Sequence, residues 1–262
     1  MPHDARAGTV ILVGAGPGPA DLLTVRALRA IEGAQAVLYD ALVSDEVVAL
    51  APIAALRIRT GKRAGKTSMD QRTINALMLR LALRGLTVIR LKGGDPSIFG
   101  RSSEEADYLR GHDVAVEIIP GITAASAAAA QFGFSLTERG VARRLVFATG
   151  QITEGALSAD GWTVCADVGA TVVLYMARDV AALAADNMIR HGRSGATPAV
   201  AIENAGGPAA RMLSSTLRCL GHDVEAAEFT GPVVLMVGPA VKRARASDPW
   251  RSADDFGRRR LG

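Results

Sequence analysis

Short β-branched runs alternate with helical patterns through the first half of this 262-residue chain, and that alternation limits its possible folds more than any other feature. Strands are expected at residues 9–13, 36–39, 56–59, 86–91 and 114–118, with helices at 21–32, 70–84 and 103–110 between them. Repetition of this kind lays strands side by side in a mostly parallel sheet with helices on both faces. Asp70 offers a capping carboxylate to the helix that Gly85 ends, and Ile74, Leu77 and Leu81 fall on one stripe of it. The stretch "IIPGITAASAAAAQFGF" then breaks the rhythm: Pro120-Gly121 reads as a turn, residues 124–131 as a small-residue helix and Gly133 as its stop. A domain junction is expected here, giving one α/β domain over 1–120, a second over 121–241 and a basic, disordered tail over 242–262. The second domain is expected to carry strands at 145–148, 171–176, 199–203, 211–217 and 233–237, a helix at 178–190 and more antiparallel pairing.

Composition narrows the classes of function. The formal charge of +4 suggests a polyanionic partner until its location is considered: seven of the 30 basic residues and three of the 26 acidic ones lie beyond residue 241, so the body is neutral. Aromatic residues make up only 4% of the chain, too few to supply base-stacking platforms, and nucleic acid is not expected as a partner. Cys165 and Cys219 form neither a C-x-x-C pair nor a disulfide framework, and four scattered histidines offer no metal spacing. A reducing cytoplasm fits this usage. The apolar run before Gly14 is too short to cross a membrane, and no stretch of eighteen apolar residues follows.

Three glycine-bearing loops compete as sites. In the first, Gly14, Gly16 and Gly18 follow a strand, and Asp40 ends the next strand where a dinucleotide-binding acid would meet a ribose. The frame fails at its sixth position, where Pro19 stands in place of the third glycine, so a plain strand-to-helix turn competes with the dinucleotide reading. The second, "TGKRAGKT", has Thr60 where a phosphate-binding loop needs its first glycine. What residues 57–66 do hold is Arg57, Arg59, Lys62, Arg63 and Lys66 with no acid among them, either a solvated loop or a cradle for a small polyanion. The third, "LKGGDPSIFGR", turns at the carboxyl end of the fourth strand, where open α/β sheets bind ligands. There Gly93 and Gly94 would let backbone approach a ligand, and Asp95 could accept hydrogen bonds from it.

The motifs "VGAGPG", "YDALVSDEVV", "GKRAGK", "LKGGDPSIFGRSSEE", "IIPGITAASAAAA", "LYMA" and "IEN", in this order, resemble the tetrapyrrole methylases, most closely the uroporphyrinogen-III C-methyltransferases. The resemblance covers roughly residues 9–241, and the pairing of "YDALVS" with "GKRAG" is its specific part. It implies two α/β domains of the tetrapyrrole methylase type in a homodimer, with the active site in the cleft between the domains and S-adenosylmethionine bound there. Donor contacts would come from Pro17, Gly93, Gly94, Asp95, Ile98, Thr123, Ala124, Met176 and Ala205. Asp40 would accept a proton and Lys62 donate one. Arg101 and Glu104 would face the macrocycle, and Arg63 with its basic neighbours would meet the carboxylates of the substrate.

The implied reaction is methylation of uroporphyrinogen III at C2 and C7, giving precorrin-2 through precorrin-1 and leaving S-adenosylhomocysteine. The motifs begin close to residue 9, so the stand-alone type of enzyme is expected. The chain departs from the family pattern at Pro19-Ala20, at "GRSSEE", at Glu138, at Ala177 and at Ala205; the two alanines replace glycines beside the donor. Three other readings compete with this one: a methylase acting on a later corrinoid intermediate, an NAD-dependent oxidoreductase built on the first loop and Asp40, and a non-catalytic binding protein for an anionic small molecule.

Overall fold

A computed structural model describes residues 7–61, 69–150 and 159–245, with side chains described from residue 162 in the last segment. Lys62, Arg63, Lys66 and tail residues 246–262 lie outside the described residues. The chain divides into two compact units, Met1–Thr123 and Ala124–Gly262.

The first unit runs β1 (Thr9–Gly14), α1 (Val25–Glu32), β2 (Ala36–Tyr39), α2 (Asp45–Ala49), β3 (Leu56–Arg59), α3 (Gln71–Ala82), β4 (Val88–Lys92), α4 (Ser102–Arg110) and β5 (Ala115–Ile119). All five strands are parallel, in the order β3-β2-β4-β1-β5. One face packs Ala27 and Ile31 of α1 and Val47 of α2 against Val13, Val37, Ile89 and Leu91. The other packs Ile74 and Met78 of α3 and Ala106 and Leu109 of α4 against Val10, Leu12, Leu38 and Val88. Burial on both faces makes the central strands β1 and β2 and most of β4 apolar, as a parallel sheet requires, while the edge strand β3 carries the exposed Arg57 and Arg59. Helix starts follow local chemistry: Thr24, Ser44 and Asp70 side chains accept from the backbone N–H groups of Ala27, Val47 and Thr73. The expected helix at 21–32 is interrupted after a single 3-10 turn, Ala20–Leu22, because Leu23 and Thr24 are extended. The short α2 is an element that periodicity alone did not reveal.

The second unit runs α5 (Ala124–Gln131), β6 (Arg144–Thr149), α6 (Ala159–Cys165), β7 (Ala170–Tyr175), α7 (Ala181–Arg190), β8 (Pro198–Glu203), β9 (Arg211–Thr216), α8 (Leu220–Ala226) and β10 (Val233–Val237). Its sheet has the order β6-β7-β10-β8-β9, with only β6 and β7 parallel. Ala125, Ala128 and Phe132 cover one face, and α7 with α8 covers the other. Alanine at these α5 positions lets the helix lie close to Val173, Val200 and Met236. The first residues of the expected tail belong to this unit: Lys242 and Arg243 lie in a 3-10 turn, Arg243 pairs with Glu138, and the Arg245 N–H donates to the Phe132 carbonyl. Among the described residues no helix is long and apolar enough to cross a membrane.

Candidate active site

The carboxyl ends of the parallel strands gather three glycine turns. Beyond β1, Gly16 donates to the Gly94 carbonyl at 3.2 Å and accepts from the Gly94 N–H at 2.7 Å, both residues having φ of +68°. A Cβ on Gly14 would sit 2.5 Å from the Gly121 nitrogen, and one on Gly121 would overlap the Gly94 carbonyl oxygen. Only glycine permits backbones after β1, β4 and β5 to approach so closely. This contact also keeps Gly121 with the first unit. Asp95 completes the knot, since Oδ1 accepts from the Ser97 N–H and hydroxyl at 2.7 and 2.5 Å and Oδ2 accepts from the Gly121 N–H at 3.0 Å. The carboxylate expected to meet a ligand is thus engaged by its own turn.

Pro17, Gly93, Ile98 and Thr123 lie along the same edge, each partly exposed. A Cβ on Gly94 would meet nothing nearer than 3.9 Å, so the outer side of this residue is open. Gly93 abuts Leu42, whose own side chain is largely exposed.

Asp40 stands at the end of β2. Its Oδ1 accepts from Arg90 Nη2 at 2.5 Å and from the Thr60 hydroxyl at 3.2 Å. Arg90 and Lys92, two residues apart on β4, point to the face of the sheet that α3 and α4 cover. There Lys92 Nζ donates to both oxygens of Glu105 at 3.0 Å, and Arg90 Nε donates to Oε1 at 3.2 Å. Arg90, Lys92, Glu105 and Thr60 are all buried. Burial, the largest cause, and the Arg90 charge push the Lys92 ammonium below its ordinary range against the pull of Glu105. Sequence reasoning assigned no role to Arg90, Lys92 and Glu105, and marked Thr60 only as the residue that breaks a phosphate-loop frame. The signal was two cations of equal parity inside an apolar strand, "VIRLK", which has no reason to be charged unless its partners are built in.

The basic loop begins and ends beside Asp40. A Cβ on Gly61 would overlap Ala41, and the Met69 N–H returns to the Thr60 carbonyl at 3.2 Å. Lys62 and Arg63 lie between these two anchors in sequence and outside the described residues. Arg57 is turned elsewhere, donating to the Ala51 and Pro52 carbonyls. At the start of α4, Arg101 grips Glu104 through two bonds of 3.0 and 2.7 Å, both side chains being more than half exposed. That grip lowers the Glu104 carboxyl from its ordinary value. Arg101 itself is left-handed at φ +55°, a conformation rare for arginine.

In the second unit β7 and β8 are each antiparallel to β10, so they run the same way and end on the same edge. Met176 follows β7 in a left-handed conformation with half its surface exposed, and buried Ala205 follows β8. The start of α5 reaches this edge too, as the Ala125 N–H donates to Tyr175 Oη at 3.4 Å. Ala124, Met176 and Ala205 therefore share one end of this sheet. Glu203 organises it: Oε1 accepts from the Thr230 and Gly231 N–H groups at 2.6 Å each, and Oε2 accepts from Arg211 at 2.7 Å. Burial works against its charge, but these donors outweigh it and hold the carboxyl below its ordinary range. Glu138, one of the departures from the expected pattern, is matched by Arg243.

Comparison with known proteins places this geometry in context. The family described as Tetrapyrrole (Corrin/Porphyrin) Methylases matches residues 9–221. A siroheme synthase of Azotobacter vinelandii is 43% identical over 235 residues, 90% of this chain and 50% of that one. The S-adenosyl-L-methionine-dependent uroporphyrinogen III methyltransferase of Arabidopsis thaliana, a chloroplastic protein, is 40% identical over 91% of this chain and 65% of its own. The chain thus spans about half to two thirds of the length of such curated relatives. Among solved structures, a uroporphyrin-III C-methyl transferase from Thermus thermophilus, complexed with S-adenosylhomocysteine, superposes with a TM-score of 0.76 and 36% identity, covering 90% of this chain and 99% of that one. A cobalt precorrin-4 methyltransferase gives 0.78 at 26% identity, covering 89% and 95%.

Proposed function

Because the chain belongs to the tetrapyrrole methylase family, we propose that it transfers methyl groups from S-adenosylmethionine to C2 and C7 of uroporphyrinogen III, forming precorrin-2 by way of precorrin-1. The observation that carries this reading is the 36% identity to a uroporphyrin-III C-methyl transferase over nearly the whole of that chain. The donor supplies a methyl group already activated on sulfur, so the protein's task is mainly alignment and the exclusion of water. Gly94 suits such a ligand because its bare backbone leaves room on the outer side of the turn, and Gly93 beside it abuts the largely exposed Leu42. In this proposal Pro17, Ile98, Thr123, Ala124, Met176 and Ala205 add contacts. Asp95 contributes by holding the turn in shape through Ser97 and Gly121.

After methyl transfer the macrocycle must lose one proton net, which Asp40 takes as the proton acceptor; Lys62 is assigned as the proton donor for a tautomeric shift in which the macrocycle gives up an equal proton elsewhere. Support for Asp40 comes from its place at the strand end with one carboxylate oxygen engaged by Arg90 and Thr60. Arg101 and Glu104 face the substrate in this reading, and Arg63 meets its carboxylates. A homodimer in the cytoplasm completes the proposal; the resemblance supports the first, and the two unpaired cysteines suit a reducing compartment.

Calorimetry against S-adenosylhomocysteine and NAD tests the donor assignment. Binding of the first alone is expected. Binding of NAD alone would return the chain to the oxidoreductase class.

A further inference from the structure

Asp40 is the exposed end of a buried charge network, and the remainder of that network has no role in the reaction described so far. Four charged groups take part, Asp40, Arg90, Glu105 and Lys92, two of each sign. Only Asp40 keeps a third of its side-chain surface; the Arg90 side chain retains 2% and that of Glu105 none. Among the described residues, both hydrogen bonds to the Asp40 carboxylate fall on Oδ1 and Oδ2 accepts none.

We infer that Arg90 is a positioning residue for Asp40, setting the carboxylate so that Oδ2 is the oxygen offered to the substrate's proton. The inference rests on the reading of Asp40 as the proton acceptor. A guanidinium can do this because its donors lie in a rigid plane. Nε is held by Glu105 at 3.2 Å, Nη1 by the Thr60 hydroxyl and the Leu91 carbonyl at 3.2 Å each, and Nη2 carries Asp40. With its other donors anchored, rotation of the plane would break several bonds together. Glu105 is itself fixed by Lys92 and by Gln71 Nε2 at 3.0 Å. Thr60 closes a triangle, since its hydroxyl touches both Arg90 and Asp40 Oδ1. A lysine at position 90 could satisfy some of these acceptors but supplies no plane.

The test compares Arg90→Lys, Thr60→Val and Asp40→Asn, and combines each of the first two with Asp40→Asn. Turnover of uroporphyrinogen III, its KM and S-adenosylhomocysteine affinity are measured for all five. Arg90→Lys is expected to lower kcat about tenfold or more, and Thr60→Val about threefold, with KM and donor affinity within about twofold of the parent. In the Asp40→Asn background neither change should cost more than about twofold further, because residues acting through Asp40 have nothing left to position. Losses that fall on KM or donor affinity, or that multiply fully with Asp40→Asn, overturn the inference in favour of a structural role. Should Arg90→Lys fail to fold, Thr60→Val, which removes only a hydroxyl, decides on the same criteria. If Asp40→Asn keeps full turnover, the proton-acceptor reading itself fails. If Asp40→Asn is inactive and both single variants match the parent, only the positioning inference falls.

Discussion

Gly16 and Gly94 bind one another through both backbone N–H and carbonyl groups, joining the loop after β1 to the loop after β4 at the carboxyl edge of the parallel sheet. This bond fixes the backbone that the donor is proposed to approach, and Gly121 packs directly against it. The two neighbours differ in what they tolerate. Gly121→Ala forces its Cβ into the Gly94 carbonyl and should cost about 2–3 kcal/mol of stability as an overpacked site. Gly94→Ala meets open space and carries only the strain of its positive φ, about 1–2 kcal/mol. Urea unfolding of both variants checks the order. Equal, small losses would show that the three turns are not in contact.

Lys62 and Lys66 separate a placed group from a diffuse field. If Lys62 donates a proton, Lys62→Ala should lower methyl transfer by about a hundredfold, as should Asp40→Asn. Lys66→Ala removes a screened charge and should cost about 1 kcal/mol or less. S-adenosylhomocysteine affinity should stay near the parent value in all three. Equal, mild effects at the two lysines would reduce the loop to a general attraction for a polycarboxylate and withdraw the catalytic role of Lys62.

Glu203 should make the second unit sensitive to acid. Its carboxyl lies below the ordinary value in the folded protein, so the folded state binds fewer protons than the unfolded chain as pH falls through that region. The stability it contributes is complete above the unfolded value of 4.5 and disappears as pH drops through the lower folded one. Glu203→Gln weakens the charge-assisted bonds to Thr230, Gly231 and Arg211 and should cost about 2 kcal/mol at pH 7. Thermal melts from pH 7 down to pH 3 should show parent and variant converging. A gap that stayed constant over this range would contradict the assignment.

The parallel sheet was legible because burial on both faces leaves β1, β2 and most of β4 apolar, and because helices with recognisable ends, such as Asp70 at the start of α3, separate the strands. The second sheet carries the antiparallel pairing expected of it, although α6 and α8 have too few turns to impose a period. Candidate site residues on loops, Gly93, Gly94 and Asp40 among them, were proposed from the glycines and the strand ends beside them. Arg90, Lys92 and Glu105 escaped because their meaning depends on parity across a strand and a helix together: Glu104 and Glu105 are neighbours in sequence, yet one faces solvent and the other the sheet. Asp95 illustrates the converse, a residue legible as polar at a ligand-facing turn whose hydrogen bonds serve the turn itself.

The most direct measurement of the central claim is mass spectrometry of uroporphyrinogen III incubated anaerobically with the purified protein and S-adenosylmethionine. The account predicts a macrocycle gaining first one and then two methyl groups, with S-adenosylhomocysteine formed in step. A macrocycle of unchanged mass, in a preparation that methylates a later corrinoid intermediate or consumes NAD instead, would contradict it.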